Sequence, residues 1–441
     1  MIKTSKGKGR QMQKHRLIIV SLDAVGKRDM DYMLSLPNFS AVVNNGAFCD
    51  NVQSVYPSLT YPAHTSIVSG LMPKNSGIVA NTKLQPNREF ADWLYKRKYI
   101  NGNTIVDEAK KHGYTVAALL WPVMGAAKID YNLPEVLVTR KYQNQIVACL
   151  LNGTPGYLLK LNKRFGHIRN GISQPELDDF VMESVRYTIE EHDPDMMLIH
   201  LTDVDTTRHK TGADNDKVRA ALERHDKRIG MLKEWLSKAR PMEDTTLIVL
   251  GDHCQRDADR ISYPNKFLAD KGLIDIKDGK IVDYRAVAKS CDGSAYIYLN
   301  EKYASDAEVI EKVADALNEM KETEEMGVLE VFTSEEAAKM GADENCIAMI
   351  ESKPGYYFLG QFEIRSEAVD DSKNYKMYGI HGCLPTDPDL VTFFAAEGLG
   401  IKKGARIETM HLWDEGPTIA KLMGWDLGKT DGCVIDGLLS D

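Results

Sequence analysis

Two kinds of apolar pattern alternate along this chain. "RLIIVSLD" (16–23), "YTVAALLWP" (114–122), "DMMLIHLTD" (195–203) and "TTLIVLGDH" (245–253) are near-continuous apolar runs, rich in branched residues. Each predicts a strand buried on both faces. Between them lie stretches with helical spacing. "NTIVDEAKKHG" (103–113) stops at Gly113, and "PELDDFVMESVRYTIEEH" (175–192) has a proline at its start. "NDKVRAALERHDKRIGMLKEWLSKA" (215–239) puts Val218, Leu222, Ile229, Leu232 and Leu236 on one side. That face fits an internal contact or a dimer seam equally well.

Strands alternating with helices predict an α/β fold: a mostly parallel central sheet with helices on both faces. Residues 254–375 read differently. "SAYIYL" (294–299) and "GVLEVFTSEEAAKMG" (327–341) predict short strands and a helix, hence a smaller inserted α/β subregion. The expected organisation is one catalytic domain over 14–441 carrying that insertion, after a flexible basic tail over 1–13.

Bulk numbers narrow the partners. The chain has 441 residues, 55 basic against 64 acidic, for a formal net charge of −9. That balance argues against a nucleic acid polymer or an anionic membrane as the main partner. No stretch reaches the ~20 apolar residues of a membrane span. The seven cysteines are scattered and lack CxxC spacing, so a reduced, cytoplasmic protein is expected. Nothing in the pattern indicates an oligomer.

Chemistry gathers where the strands end. The first run ends at Asp23, the third leads to Asp205 and His209 four residues apart, and the fourth ends in Asp252-His253. "YGIHGCLPTD" adds His381. Any one of these reads as a turn, a cap or a shared helix face. The set reads otherwise, because ligands of open α/β sheets sit at the carboxyl ends of strands. Mixed Asp and His without Cys suits two divalent ions: Zn²⁺ first, with Mn²⁺ or Fe competing. Two such ions over three carboxylates leave the site near +1, which favours an anionic substrate such as phosphate.

One stretch is uncharged and rich in hydroxyls: "YPSLTYPAHTSIVSG" (56–70). It resembles the nucleophile motif of the nucleotide pyrophosphatase/phosphodiesterase (type I phosphodiesterase) family, within the alkaline phosphatase superfamily. The resemblance runs in order through "LIIVSLDAV", "DVDTTRHKTG", "GDH" and "GIHG". It implies an alkaline phosphatase-like fold and a metal-dependent phosphoric ester hydrolase. Thr60 would be the nucleophile at a helix start, forming a covalent phospho-threonine intermediate. One metal would be held by Asp23, Asp252 and His253 and touch Thr60; the other by Asp205, His209 and His381. Asn81, in "SGIVANTK", falls where the family binds a phosphate oxygen, and Trp121-Pro122 matches a further signature. Tyr61 would be a base-stacking platform, and His64 would pack.

Three departures bear on the substrate. Cys254-Gln255 follows the DH pair where the family has Gly-Met. His200 stands where an aromatic residue lies five before the ligand Asp205. Lys128 follows the Trp-Pro. Tyr61, Trp121, Lys128 and His200 are thus the candidate substrate-binding residues. The expected activity is a two-metal phosphodiesterase or nucleotide pyrophosphatase acting on a small phosphorylated substrate. The alternative is a phosphonate hydrolase or phosphomonoesterase on the same site. A catalytically dead binding protein on this fold would have lost ligands that this chain keeps.

Overall fold

A computed structural model describes residues 14–88, 90–370 and 376–440. The tail expected over 1–13 and the far end of the 254–375 stretch lie outside the described residues. Six early strands are β1 (Arg16–Leu22), β2 (Ala47–Gln53), β3 (Val116–Leu119), β4 (Tyr131–Leu133), β5 (Met196–Leu201) and β6 (Thr245–Leu250). With strands Thr392–Gly398 and Met410–His411 they form one eight-stranded sheet. From the edge, its order is Met410–His411, β2, Thr392–Gly398, β6, β1, β5, β3, β4. Every pairing is parallel except the two made by Thr392–Gly398, which runs opposite to both β2 and β6.

The continuous apolar runs have a simple cause. Side chains alternate across a strand, and both faces of this sheet are covered. Leu17 and Ile19 enter one core with Met196, Leu198, Ile248 and Leu250. Ile18, Val20 and Leu22 enter the other with Met197, Ile199, Leu247 and Val249. Helix Asp216–Ala239 is capped by the Asn215 side chain, which accepts from the N–H groups of Lys217 and Val218. Its Val218, Leu222, Ile229, Leu232 and Leu236 all lie in the second core. The apolar stripe is therefore an internal contact. Helix Ile105–Lys111 opens on a Thr104–Asp107 capping box and covers the other face.

After β6 the chain builds a separate antiparallel sheet, in the order Ala286–Cys291, Ser294–Leu299, Ala348–Ser352, Val328–Thr333. Helix Ala307–Glu322 packs its Val313, Leu317 and Met320 into a third core beneath it.

Register sets the site. Leu22 of β1 pairs with Leu201 of β5, and Ser21 pairs with Leu250 of β6. Three neighbouring strands therefore end level. Asp23, the helix starting at Asp203, and Gly251–His253 all emerge at one edge of the sheet.

Candidate metal centre

Asp23 and Asp252 are each held by one carboxylate oxygen and free at the other. Asp23 turns one carboxylate oxygen, Oδ2, to His200 Nε2 at 3.0 Å. Its Oδ1 is buried without a hydrogen bond. Asp252 accepts through Oδ1 from the N–H groups of Ala24 (3.2 Å) and His253 (2.9 Å). Its Oδ2 is buried without a hydrogen bond. Both free oxygens face His253 Nε2, at 3.4 Å for Asp23 and 3.3 Å for Asp252. Gly251 makes the approach possible: a Cβ there would meet Val25 O at 2.2 Å.

The second group is tethered in the same way. Helix Asp203–Thr211 places Asp205 and His209 one turn apart. His209 Nδ1 donates to Gly379 O at 2.8 Å, which leaves Nε2 beside Asp205 Oδ1 at 3.2 Å. His381 Nδ1 donates to Ser58 O at 3.2 Å, and its Nε2 lies 4.0 Å from the same oxygen. Backbone acceptors on Nδ1 fix the tautomer that leaves Nε2 as a lone-pair donor. Donor atoms of Asp205, His209 and His381 lie within 4.8 Å of one another, as do those of Asp23, Asp205 and His253. Asp205 thus sits between the two groups. The His253 and His381 rings stack at 4.2 Å.

The electrostatics record crowding of like charge. Burial, then the Asp205 charge, push the Asp23 carboxyl up to about 7. Burial and the Asp23 charge push Asp252 well above the carboxylate range. Burial alone would also raise Asp205, but His209 and His381 outweigh it and hold it below its ordinary value. Burial lowers His209 less than Asp205 raises it, so it stands at about 9. Buried carboxylates with orphaned oxygens beside His253, and the His209 and His381 rings with Nε2 left free, fit two divalent cations.

Thr60 is the first residue of helix Thr60–Ser69, and its Oγ1 lies 3.2 Å from His253 Nε2. The next N–H, of Tyr61, donates to Asn81 Oδ1 at 2.9 Å. That bond orients the Asn81 amide, whose Nδ2 has no protein acceptor among the described residues. His64 stands one turn behind Thr60. Burial keeps it neutral, its Nδ1 donates to Thr60 O at 2.8 Å, and its Nε2 accepts from Ser21 Oγ at 3.0 Å. It braces the helix start.

The four expected substrate contacts differ in exposure. Tyr61 is fully buried, its ring edge-on to Trp93 and its hydroxyl toward Glu135, so it forms no stacking platform. Trp121 is fully buried against the His64 ring. His200 is buried behind Asp23, with Nδ1 near Leu120 O and Glu135. All three rings are thus buried in the fold. Lys128 is exposed and, among the described residues, pairs with none of the site residues.

Other residues enter that the motifs did not single out. Gln255 Nε2 donates to Asp205 Oδ1 and lies 3.4 Å from His209 Nε2. Asp292 Oδ2 lies 3.7 Å from His381 Nε2. Lys289 is nearly buried and donates to Thr82 Oγ1, next to Asn81. Glu135 links Tyr61 to His200. Only Gln255 had a signal in the sequence, as a departure beside the DH pair.

The model of the family described as type I phosphodiesterase / nucleotide pyrophosphatase matches residues 17–384. The chain is 24% identical over 411 residues to the ectonucleotide pyrophosphatase/phosphodiesterase C27A7.1 of Caenorhabditis elegans, covering 90% of this chain and 42% of that one. It is 25% identical over 250 residues to ectonucleotide pyrophosphatase/phosphodiesterase family member 5 of Homo sapiens, covering 55% of this chain and 45% of that one. The chain thus spans less than half the length of these relatives. Murine ectonucleotide pyrophosphatase/phosphodiesterase 5 superposes with a TM-score of 0.67 at 20% identity, covering 96% of this chain and 100% of that one. An inactive variant of that murine protein, in complex with AMP, superposes with a TM-score of 0.66. At this identity the likeness speaks for the alkaline phosphatase-like fold.

Proposed function

Because this chain belongs to the type I phosphodiesterase/nucleotide pyrophosphatase family, we propose that it is a two-metal phosphodiesterase of nucleotide pyrophosphatase type. The observation that carries the reading is the place of Thr60. Its hydroxyl stands at a helix N-terminus, 3.2 Å from His253 Nε2, the nitrogen that the orphaned oxygens of Asp23 and Asp252 also face.

Asp23, Asp252 and His253 would hold one cation beside Thr60, and Asp205, His209 and His381 the other. Zinc suits these ligands first, with manganese or iron next. Bound divalent ions would supply Lewis acidity, lowering the pKa of a hydroxyl and neutralising phosphoryl charge. The chain does the rest. The helix start presents Thr60 Oγ1 to phosphorus, and its first-turn N–H groups favour the anion. Asn81 Nδ2 donates to a non-bridging oxygen, where charge grows in the transition state. Thr60 Oγ1 bonds to phosphorus as the ester oxygen leaves with a proton. Water then cleaves the phospho-threonine, freeing a phosphomonoester and restoring the hydroxyl.

A second reading has one observation in its favour. Lys289 puts a cation beside the neighbour of Asn81. It would suit the second charge of a phosphonate or a phosphomonoester. The seven unpaired cysteines support a reducing, cytoplasmic setting.

The test is turnover of matched nitrophenyl diesters and monoesters by protein that is chelated and then reloaded with Zn²⁺ or Mn²⁺. Metal-dependent diester turnover, absent in Thr60→Ala, is expected. Preference for monoesters would move the assignment to the second reading. Diester turnover undiminished in Thr60→Ala would overturn the mechanism.

A further inference from the structure

The −9 charge of the chain hides a segment of opposite sign. From Val136 to Pro175 there is no acidic residue, while Arg140, Lys141, Lys160, Lys163, Arg164 and Arg169 are basic. This segment leaves the edge strand β4 and forms helices Gln145–Asn152 and Pro155–Phe165. The second helix seals the sheet with Tyr157, Leu158 and Leu161, all buried in a core. Its other side shows Leu159, 58% exposed, beside exposed Lys160 and Lys163.

The first helix is odder. Its sequence, QIVACLLN, is almost wholly apolar, yet Ile146 is 67% exposed and Leu151 is 76% exposed. Val147 lies between them and is also exposed. Burial in the fold therefore does not explain these residues, and an apolar patch of this kind marks a contact surface. Among the described residues, Lys141, Lys160 and Lys163 make no ion pair.

We propose that this face docks the protein on an anionic lipid surface, with Ile146, Val147, Leu151 and Leu159 entering the headgroup boundary and Lys141, Lys160 and Lys163 meeting the lipid phosphates. Apolar residues flanked by lysines on short surface helices are what an interfacial anchor requires. Charge disfavours a second copy on the same face, because an isologous contact would set each basic patch against its twin. A nucleic acid would use the lysines but leave the isoleucine and leucines without a role.

The experiment is co-sedimentation of the full chain with vesicles of phosphatidylcholine alone, and of phosphatidylcholine mixed with phosphatidylglycerol. Binding to the mixed vesicles, weak on the neutral ones and released by high salt, is expected. Ile146→Ser with Leu151→Ser, and separately Lys160→Glu with Lys163→Glu, should each weaken it by ~10-fold or more. Both variants should keep the parent's melting temperature and its turnover of a soluble diester, since neither pair touches the site. No binding to the mixed vesicles at low salt overturns the proposal. So does binding that both variants leave intact, a dimer that Ile146→Ser dissolves, or duplex DNA bound more tightly than the mixed vesicles.

Discussion

The His200 ring stands directly behind Asp23, its Nε2 3.0 Å from Oδ2, with both residues buried. His200 Nδ1 faces Leu120 O at 3.2 Å and Glu135 Oε2 at 3.5 Å. Acceptors thus lie at both ring nitrogens. Burial disfavours the charged ring, but Asp23 and Glu135 outweigh it and raise its pKa well above the ordinary value. His200→Ala should loosen the Asp23 carboxylate and weaken metal uptake by ~10–100-fold. Competition with a chromophoric chelator measures this. Turnover at saturating metal should largely return, which separates a positioning role from a lost fold.

Asn81 joins the helix start to the place where a phosphoryl group would sit. Its Oδ1 takes the Tyr61 N–H, so only Nδ2 remains to donate. Asn81→Asp keeps the acceptor and removes that donor. We expect kcat/KM to fall ~100–1,000-fold, the magnitude for one lost oxyanion donor, with metal content unchanged. An equal loss of bound metal would show that the residue holds the site together instead.

Metal uptake should release protons. In the metal-free protein Asp23 stands at about 7 and His209 at about 9. Below pH 7 both hold a proton that a cation must displace; near pH 8 Asp23 has lost its proton while His209 keeps its own. Calorimetric titration with Zn²⁺ in buffers of different ionisation enthalpy should therefore count more protons at pH 6 than at pH 8. Equal counts would contradict the crowding of carboxylates described here.

Glu351 gives a pH signature away from the metals. It is almost fully buried in the antiparallel sheet, accepting from Tyr56 Oη and the Leu384 N–H, each at 3.0 Å. Burial pushes its carboxyl up to about 7. The folded state then binds this proton more tightly than the unfolded state, whose pKa is near 4.5. Stability contributed below about pH 4.5 is lost as pH rises to about 7. The size is about 3 kcal/mol. Glu351→Gln keeps groups of the same shape for both partners and should flatten that slope in urea unfolding.

Much of this site was legible because it rests on one-dimensional facts. A run such as "RLIIVSLD" has one economical structure, a strand covered on both faces, and the residue after it must lie at the sheet edge. Level registers of β1, β5 and β6 then bring Asp23, Asp205 and His253 together. What could not be read is which way a motif residue faces. Tyr61 and Trp121 carry family signatures, but their rings turn into the core, and no local periodicity announces that. Glu135 and Asp292 lie in connections, and nothing local marks them as neighbours of His200 and His381. The helix at 145–152 is apolar on nearly every side, so its sequence alone points to burial.

The order of the strands has a consequence for when the candidate donor set is complete. Asp23 comes early in the chain and His381 late, and Thr392–Gly398, later still, lies in the sheet between β2 and β6. A growing chain with β1, β5 and β6 already made carries most of the donors but not His381. It also lacks the strand that joins the two parts of the sheet. Long-range pairings of this kind form slowly. A chain ended before Gly379 should therefore bind Zn²⁺ far more weakly than the full chain, as the same chelator competition would record. A cation that needs His381 would then find its full donor set only once residues 379–398 are in place.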